Sequence, residues 1–215
     1  MALKAQKEVK RAEAPGEAHF RMIDVGMKRV TRRRAIATGT ITVGKEAFKK
    51  IRENSLPKGN VLALAEVAGI LGAKKTPEML PMCHTLPLDQ VSLHCVAAAP
   101  DAVTVYSQVT AHAKTGVEME ALVAVQAALA TIRDLVKGTA PALTISDVRL
   151  LVKEGGKSGL WVNPGGIPEW LKAQLPDQFP LQGISVAIVV MSDRAAKGIY
   201  EDKSGPIMKN FLVHR

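Results

Sequence analysis

Aromatic residues are scarce in this chain, making up 4% of 215 residues as two Trp, two Tyr and four Phe. That excludes a core built on large rings. It also speaks against a base-stacking nucleic-acid surface, which interleaves aromatic with basic side chains. Cysteine is nearly as rare: Cys83 and Cys95 are too few for a disulfide framework, and both read as free thiols in a reducing compartment. Long apolar runs are lacking as well. The stretch from Val61 to Ala73 is interrupted by Glu66 and Gly69 and falls short of the ~20 apolar residues that a membrane span needs. Lys4, Lys7, Glu8, Lys10 and Arg11 open the chain with no apolar region behind them, so the start does not read as a secretory signal. A cytoplasmic protein without a membrane partner is expected.

What the chain does have is 47% hydrophobic residues, mostly Ala, Val, Leu and Ile, enough for one substantial packed domain. Its net charge is +9, most densely clustered at Lys28, Arg29, Arg32, Arg33 and Arg34. Such a surplus suits a nucleic acid, a compact polyanionic ligand or a merely solvated face. Without interleaved aromatics, a small, highly phosphorylated ligand is the better fit.

Residues 1–17 show no sustained apolar period and read as a flexible tail. From Ala35 to Val43 apolar and polar residues alternate, which predicts a half-buried strand. Helical spacing follows over Lys45 to Glu53 and Val61 to Lys74, and Thr76-Pro77-Glu78 predicts the start of a further helical turn. Val91 to Ala97 and Val103 to Val109 alternate around Ala99-Pro100-Asp101, as a hairpin does. Thr115-Gly116-Val117-Glu118 matches a capping box that opens an Ala-rich helix to Lys137, with Gly138 placed as its C′ residue. A last strand spans Leu143 to Val152. The order is that of an α+β, ferredoxin-like βαββαβ domain, which by itself carries no function.

Taken singly, the candidate functional residues each have a plain alternative. Gly155-Gly156-Lys157-Ser158-Gly159 ends like a P-loop, but the required earlier glycine is Leu151, so a solvated turn is the better reading. Cys83, His84, Glu118 and Glu120 are residue types that bind zinc, yet no paired Cys-x-x-Cys accompanies them and no metal site is expected. Glu118 would serve the capping box; Glu120 has no such task. Asp134 and Lys137, three apart on one helix, form either a surface ion pair or a carboxylate holding a lysine for proton transfer. Lys58 in its Pro-Lys-Gly loop is by default a solvated lysine.

Taken together, these residues fall in ordered blocks: Lys58-Gly59-Asn60-Val61, Ala68-Gly69-Ile70, Ala73-Lys74-Lys75-Thr76, Pro81-Met82-Cys83-His84, Lys114 through Leu122 and Val148-Arg149-Leu150-Leu151. From Met22 to Gly159 the chain resembles the cyclic pyranopterin monophosphate synthase family (MoaC). The resemblance implies an enzyme of molybdenum-cofactor biosynthesis. It would be a lyase that converts 3′,8-cyclo-7,8-dihydroguanosine 5′-triphosphate to cyclic pyranopterin monophosphate and releases pyrophosphate. It implies catalytic roles for Asp134, Lys58 and Lys137, substrate contacts at Met82, Cys83, His84, Met119 and Glu120, triphosphate contacts at Arg33 and Lys153, and a place for Glu118 in the polar pocket. No cofactor is required by that resemblance, and magnesium would enter only with the pyrophosphate. It further implies a homohexamer, a trimer of dimers with sites at the dimer interface, leaving open that Lys58 and the helix bearing Asp134 come from different subunits. Thr85 and Met82 depart from the family's usual Pro and Leu. A basic nucleic-acid-binding module and a metal-dependent nucleotide hydrolase stand as rivals.

After this domain, taken as residues 18–161, the Pro- and Gly-rich stretch 162–182 reads as a linker. Ile184 to Met191 then reads as a buried parallel strand. Val189 to Arg194 and Gly198 to Gly205 resemble the start of the molybdopterin adenylyltransferase family (MogA/MoaB). Residues 183–215 are therefore expected to be an incomplete α/β fragment, as in a fusion of two enzymes of one pathway.

Overall fold

The computed structural model describes residues 20–157, 159–175, 201 and 203–213. The chain divides into two units, one running to Gly166 and one starting at Ile167. The expected tail 1–17, the last third of the expected linker (176–182) and the expected strand Ile184 to Met191 lie outside the described residues.

The first unit is α+β. Five strands, β1 (Thr31–Thr42), β2 (Gln90–Ala98), β3 (Ala102–Ala113), β4 (Thr144–Glu154) and β5 (Leu160–Val162), form one sheet in the order β2-β3-β1-β4-β5. Every neighbouring pair is antiparallel. Helices α1 (Lys45–Arg52) and α2 (Val61–Met79) connect β1 to β2, and α3 (Glu118–Val136) connects β3 to β4. β1 begins four residues earlier than its alternation suggests, which brings Arg33 into the sheet. It is not half-buried in its middle: Ala35 through Gly39 are all buried, because β1 lies between β3 and β4 at the centre. Thr38 tolerates this because its hydroxyl donates to the carbonyl of Val105 at 3.0 Å.

The shortage of rings is met by close helix packing. α2 turns Ala65, Gly69, Gly72, Ala73 and Thr76 inward, and α3 turns Ala121, Ala124, Val125 and Ala128 inward. A Cβ added at Gly69 would lie 2.1 Å from Leu93 Cδ2 and 2.9 Å from the carbonyl oxygen of Ala124; one at Gly72 would lie 2.7 Å from the Cβ of Ala127. The Leu93 tip could turn aside, but the Ala124 carbonyl and the Ala127 Cβ move only with the backbone of α3, so these two glycines set how near the helices approach.

Three local expectations are corrected. Thr76 does not start a helix: α2 runs unbroken through Pro77 to Met79, and the Thr76 hydroxyl, buried, donates back to the carbonyl of Gly72 at 3.3 Å. The capping box before α3 does not form, since the N-cap is Val117 and no side chain caps it. Gly138 lies outside the left-handed region that a C′ glycine adopts, among the positive-φ residues neither by conformation nor by close approach. The final strand extends to Glu154 and turns through Gly155–Gly159 into β5, which the sequence does not announce in its three residues. The second unit contributes α4 (Glu169–Lys172), whose Leu171 is buried, and α5 (Ser204–Val213).

Candidate active site

The sequence-predicted residues assemble in two places, one at each end of α3. At its N-terminal end is a cavity of about 510 Å³ lined by Met82, Cys83, His84 and Leu86 from the loop after α2, by Thr115, Gly116, Glu118, Met119 and Glu120, and by Arg21, Ile23, Val25 and Lys28. Two segments, Met82–Leu86 and Thr115–Glu120, thus meet in one wall although 29 positions separate Leu86 from Thr115. The first turn of α3 is uncapped by any side chain, so its amide groups and positive dipole end face this region.

Glu120 is the most constrained residue here. It is 3% exposed and its Oε2 has no hydrogen-bond partner among the described residues. Burial pushes its carboxyl above the ordinary carboxylate range; its own backbone amide opposes the shift, and the neighbouring Glu118 adds to it. Cys83 is likewise raised, by burial first and then by Glu120. Its thiol therefore stays protonated near neutrality and forms a wall of the cavity rather than a nucleophile. Cys95 is pushed up to about 12 by burial and by Glu66, whose carboxylate accepts the Cys95 backbone amide at 3.0 Å.

With the capping box absent, Glu118 turns its carboxylate over Gly116 and towards Lys153, 3.6 Å away on β4. Arg33, on β1, donates to the carbonyls of Ala113 and Lys114 at 3.4 Å each, which holds its guanidinium beside the segment that enters the cavity. Gly155 and Gly156 make room for it: both have positive φ, and a Cβ at Gly156 would meet Arg33 Nη1 at 2.0 Å. The Gly-Gly-Lys-Ser-Gly stretch is therefore the β4–β5 turn that accommodates an arginine, and Ser158 lies outside the described residues.

At the other end of α3, Asp134 receives two lysines. Lys137 Nζ is 2.5 Å from Oδ1 and Lys58 Nζ is 3.1 Å from Oδ2. Lys58, from the loop before α2, and Asp134 therefore meet within one chain, and the reading that they come from different subunits is not needed. All three side chains are more than half exposed, between 53% and 63%. The two lysines hold the Asp134 carboxyl below its ordinary range, Lys137 most and then Lys58. The carboxylate thus stays ionised at neutral pH and fixes two ammonium groups.

None of these three residues lines the cavity. From Glu120 to Asp134 is fourteen residues of helix, roughly 21 Å at 1.5 Å per residue. Sequence reasoning missed Arg21, Lys28 and Leu86 as lining residues; Lys28 was visible only as part of the basic cluster. Among the described residues no group of three His, Cys, Asp or Glu side chains is placed to hold a metal ion. No described helix is long and apolar enough to cross a membrane.

Residues 22–156 match the MoaC family. The chain is 43% identical over 196 residues to a protein of Synechococcus elongatus named molybdenum cofactor biosynthesis bifunctional protein, covering 89% of this chain and 59% of that protein. It thus spans about three fifths of that relative. It is 43% identical over 161 residues to the cyclic pyranopterin monophosphate synthase of Chloroflexus aurantiacus, covering 74% of this chain and 98% of the relative. With the protein of the same name from Dinoroseobacter shibae it shares 46% identity over 151 residues, covering 68% and 92%.

Proposed function

This chain belongs to the MoaC family, and we propose that it is a cyclic pyranopterin monophosphate synthase of molybdenum-cofactor biosynthesis. It takes the cyclised GTP derivative, rebuilds its guanine ring as a pterin, closes the cyclic phosphate and releases pyrophosphate. The observation that carries this reading is the meeting of Met82-Cys83-His84 with Glu118-Met119-Glu120 in one cavity, beside the cations Arg33 and Lys153. Cations placed there suit a triphosphate. Glu120, buried with an unpartnered Oε2, is placed to hydrogen-bond a heterocycle in the cavity.

Ring opening and closure need proton transfer near neutral pH, and the Asp134-bound lysines are the groups to supply it. Proton transfer by a lysine calls for desolvation as well as a carboxylate to hold it, and these side chains are more than half exposed in a single chain. Covering by a second copy would supply that, and would bring one chain's lysines to the other's cavity. We therefore read the active site as shared between two copies, in a hexamer built as a trimer of dimers, with no cofactor required and magnesium entering only with the pyrophosphate. The strand order β2-β3-β1-β4 fits the ferredoxin-like arrangement with β5 appended, residues 18–161 being the synthase domain. The name of the Synechococcus relative supports reading residues 183–215 as part of a second, MogA/MoaB-like domain after a linker at 162–182. A cytoplasmic location follows from the pathway.

The test is incubation of the purified protein with 3′,8-cyclo-7,8-dihydroguanosine triphosphate. Formation of the cyclic pterin and one equivalent of pyrophosphate is expected; intact substrate after prolonged incubation would overturn the reading. The hydrolase rival requires loss of turnover on exhaustive chelation, and the nucleic-acid rival requires salt-sensitive RNA retention.

A further inference from the structure

One wall of the cavity is made by a segment with almost no structure of its own. Residues 20–30 contain a turn at Val25–Lys28, closed by the Lys28 amide on the Val25 carbonyl at 3.0 Å, and Asp24 Oδ1 accepting from the Gly26 amide at 2.7 Å. Phe20, Ile23, Met27 and Val30 are exposed, so apolar packing does little to hold the segment down. Yet it supplies Arg21, Ile23, Val25 and Lys28 to the cavity, two of them cations.

Among the described residues, one hydrogen bond joins this segment to the rest of the unit: Lys114 Nζ donates to the carbonyl of Gly26 at 2.9 Å. The same residue's carbonyl accepts from Arg33 Nη2 at 3.4 Å, and the chain continues from it directly into Thr115 and Gly116 of the opposite wall. Lys114 thus touches the strap formed by residues 20–30, the half-buried Arg33 and the cavity wall at once. The Arg33 contact uses the backbone and would survive a change of side chain; the strap contact uses Nζ and would not.

We propose that Lys114 is a positioning residue that fastens residues 20–30 across the cavity, so that Arg21 and Lys28 stand where the ligand's phosphates bind. It touches no substrate itself. This rests on the synthase reading for its activity measurement but not for its structural one. Losing a single hydrogen bond from a charged donor should show as a several-fold effect rather than an abolition.

The experiment compares Lys114→Met and Lys114→Arg with the parent full-length protein in three measurements. In hydrogen exchange of the free protein, the amides of residues 21–30 should exchange faster in Lys114→Met, with β1 to β4 unchanged, and Lys114→Arg should restore the parental rate. In steady state, KM for the cyclised GTP and the inhibition constant for inorganic pyrophosphate should both rise about threefold to tenfold in Lys114→Met, while kcat moves less than twofold. Lys114→Arg should be close to the parent in both. Exchange of 21–30 unchanged in Lys114→Met would overturn the proposal whatever the KM, since a raised KM would then report charge alone. Equal loss of kcat in both variants would also overturn it, by showing that the lysine acts in the chemistry. A parent that binds pyrophosphate but makes no pterin would sink the synthase reading and leave the exchange and pyrophosphate arms to decide the role of Lys114.

Discussion

The two ends of α3 carry acidic residues in opposite circumstances. Glu120, at the first turn, is buried with an unpartnered oxygen, and its carboxyl is pushed up by burial. Asp134, in the last turn, is open to water, and its carboxyl is pulled down by two lysines at hydrogen-bond distance. The first end has a cavity whose lining includes neither Lys58 nor Lys137; the second has those two lysines together on Asp134, more than half exposed. Each end lacks what the other has, and one helix keeps them roughly 21 Å apart. The comparison teaches that the cavity and the lysine pair are separate in a single chain; on the function proposed above they are its binding and proton-transfer halves, which a second copy would bring together.

The sharpest way to break that division is at the lysine end. Lys137→Ala should lower turnover at least ~100-fold, the usual scale for a positioned acid or base, with KM little changed and the fold intact by circular dichroism. Turnover near the parental value would remove the triad from the mechanism. At the cavity end the effect should fall on binding. Arg33→Ala and Lys153→Ala should each raise KM about tenfold, as loss of a charge-assisted contact to phosphate does, and should weaken inhibition by pyrophosphate in parallel. A fall in kcat alone would place them with the lysines instead.

The smallest effect concerns stability. A carboxyl whose folded pKa is raised costs nothing below its unfolded value near 4.5 and disfavours folding as pH rises above that value and the group must ionise. Glu120→Gln removes that penalty, so its melting temperature relative to the parent should be higher at pH 8 than at pH 4. Asp134→Asn should do the reverse, because a lowered pKa stabilises above the unfolded value and is lost as pH falls. No pH dependence in either difference would contradict the contrast drawn between the two ends.

Much of the fold was legible because its signals are local. The alternation of β2 and β3 and the spacing of α3 place those elements within a few residues of where they lie. The misses come from tertiary context. Thr115 and Glu118 have the spacing of a capping box, but Lys153 on β4 draws Glu118 away, and a strand 35 residues later cannot be read from a four-residue motif. Thr76-Pro77 looks like a helix start, yet Thr76 bonds back into the same helix and Pro77 leaves it unbroken. The candidate triad was legible as residues and half legible as geometry: the spacing of Asp134 and Lys137 gives their pairing, while the approach of Lys58 depends on how α2 packs on α3. The separation of triad from cavity was not legible at all, since it is a distance along a helix whose two ends carry equally good motifs.

The central claim, that one chain's cavity works with another chain's lysines, is tested most directly by mixing two impaired proteins and assaying at substrate well below the parental KM, where Arg33→Ala turns over about tenfold and Lys137→Ala about a hundredfold more slowly than the parent. Lys137→Ala keeps the cavity end and Arg33→Ala keeps the lysine end. After partial denaturation and joint refolding, random dimers with sites shared between chains would carry one intact site in every mixed pair, giving about a quarter of parental turnover. That recovery is the predicted result. A mixture no more active than the sum of its two parents, with subunit exchange verified by mass spectrometry, would show that each chain holds its whole site and that the two ends of α3 do not work across copies.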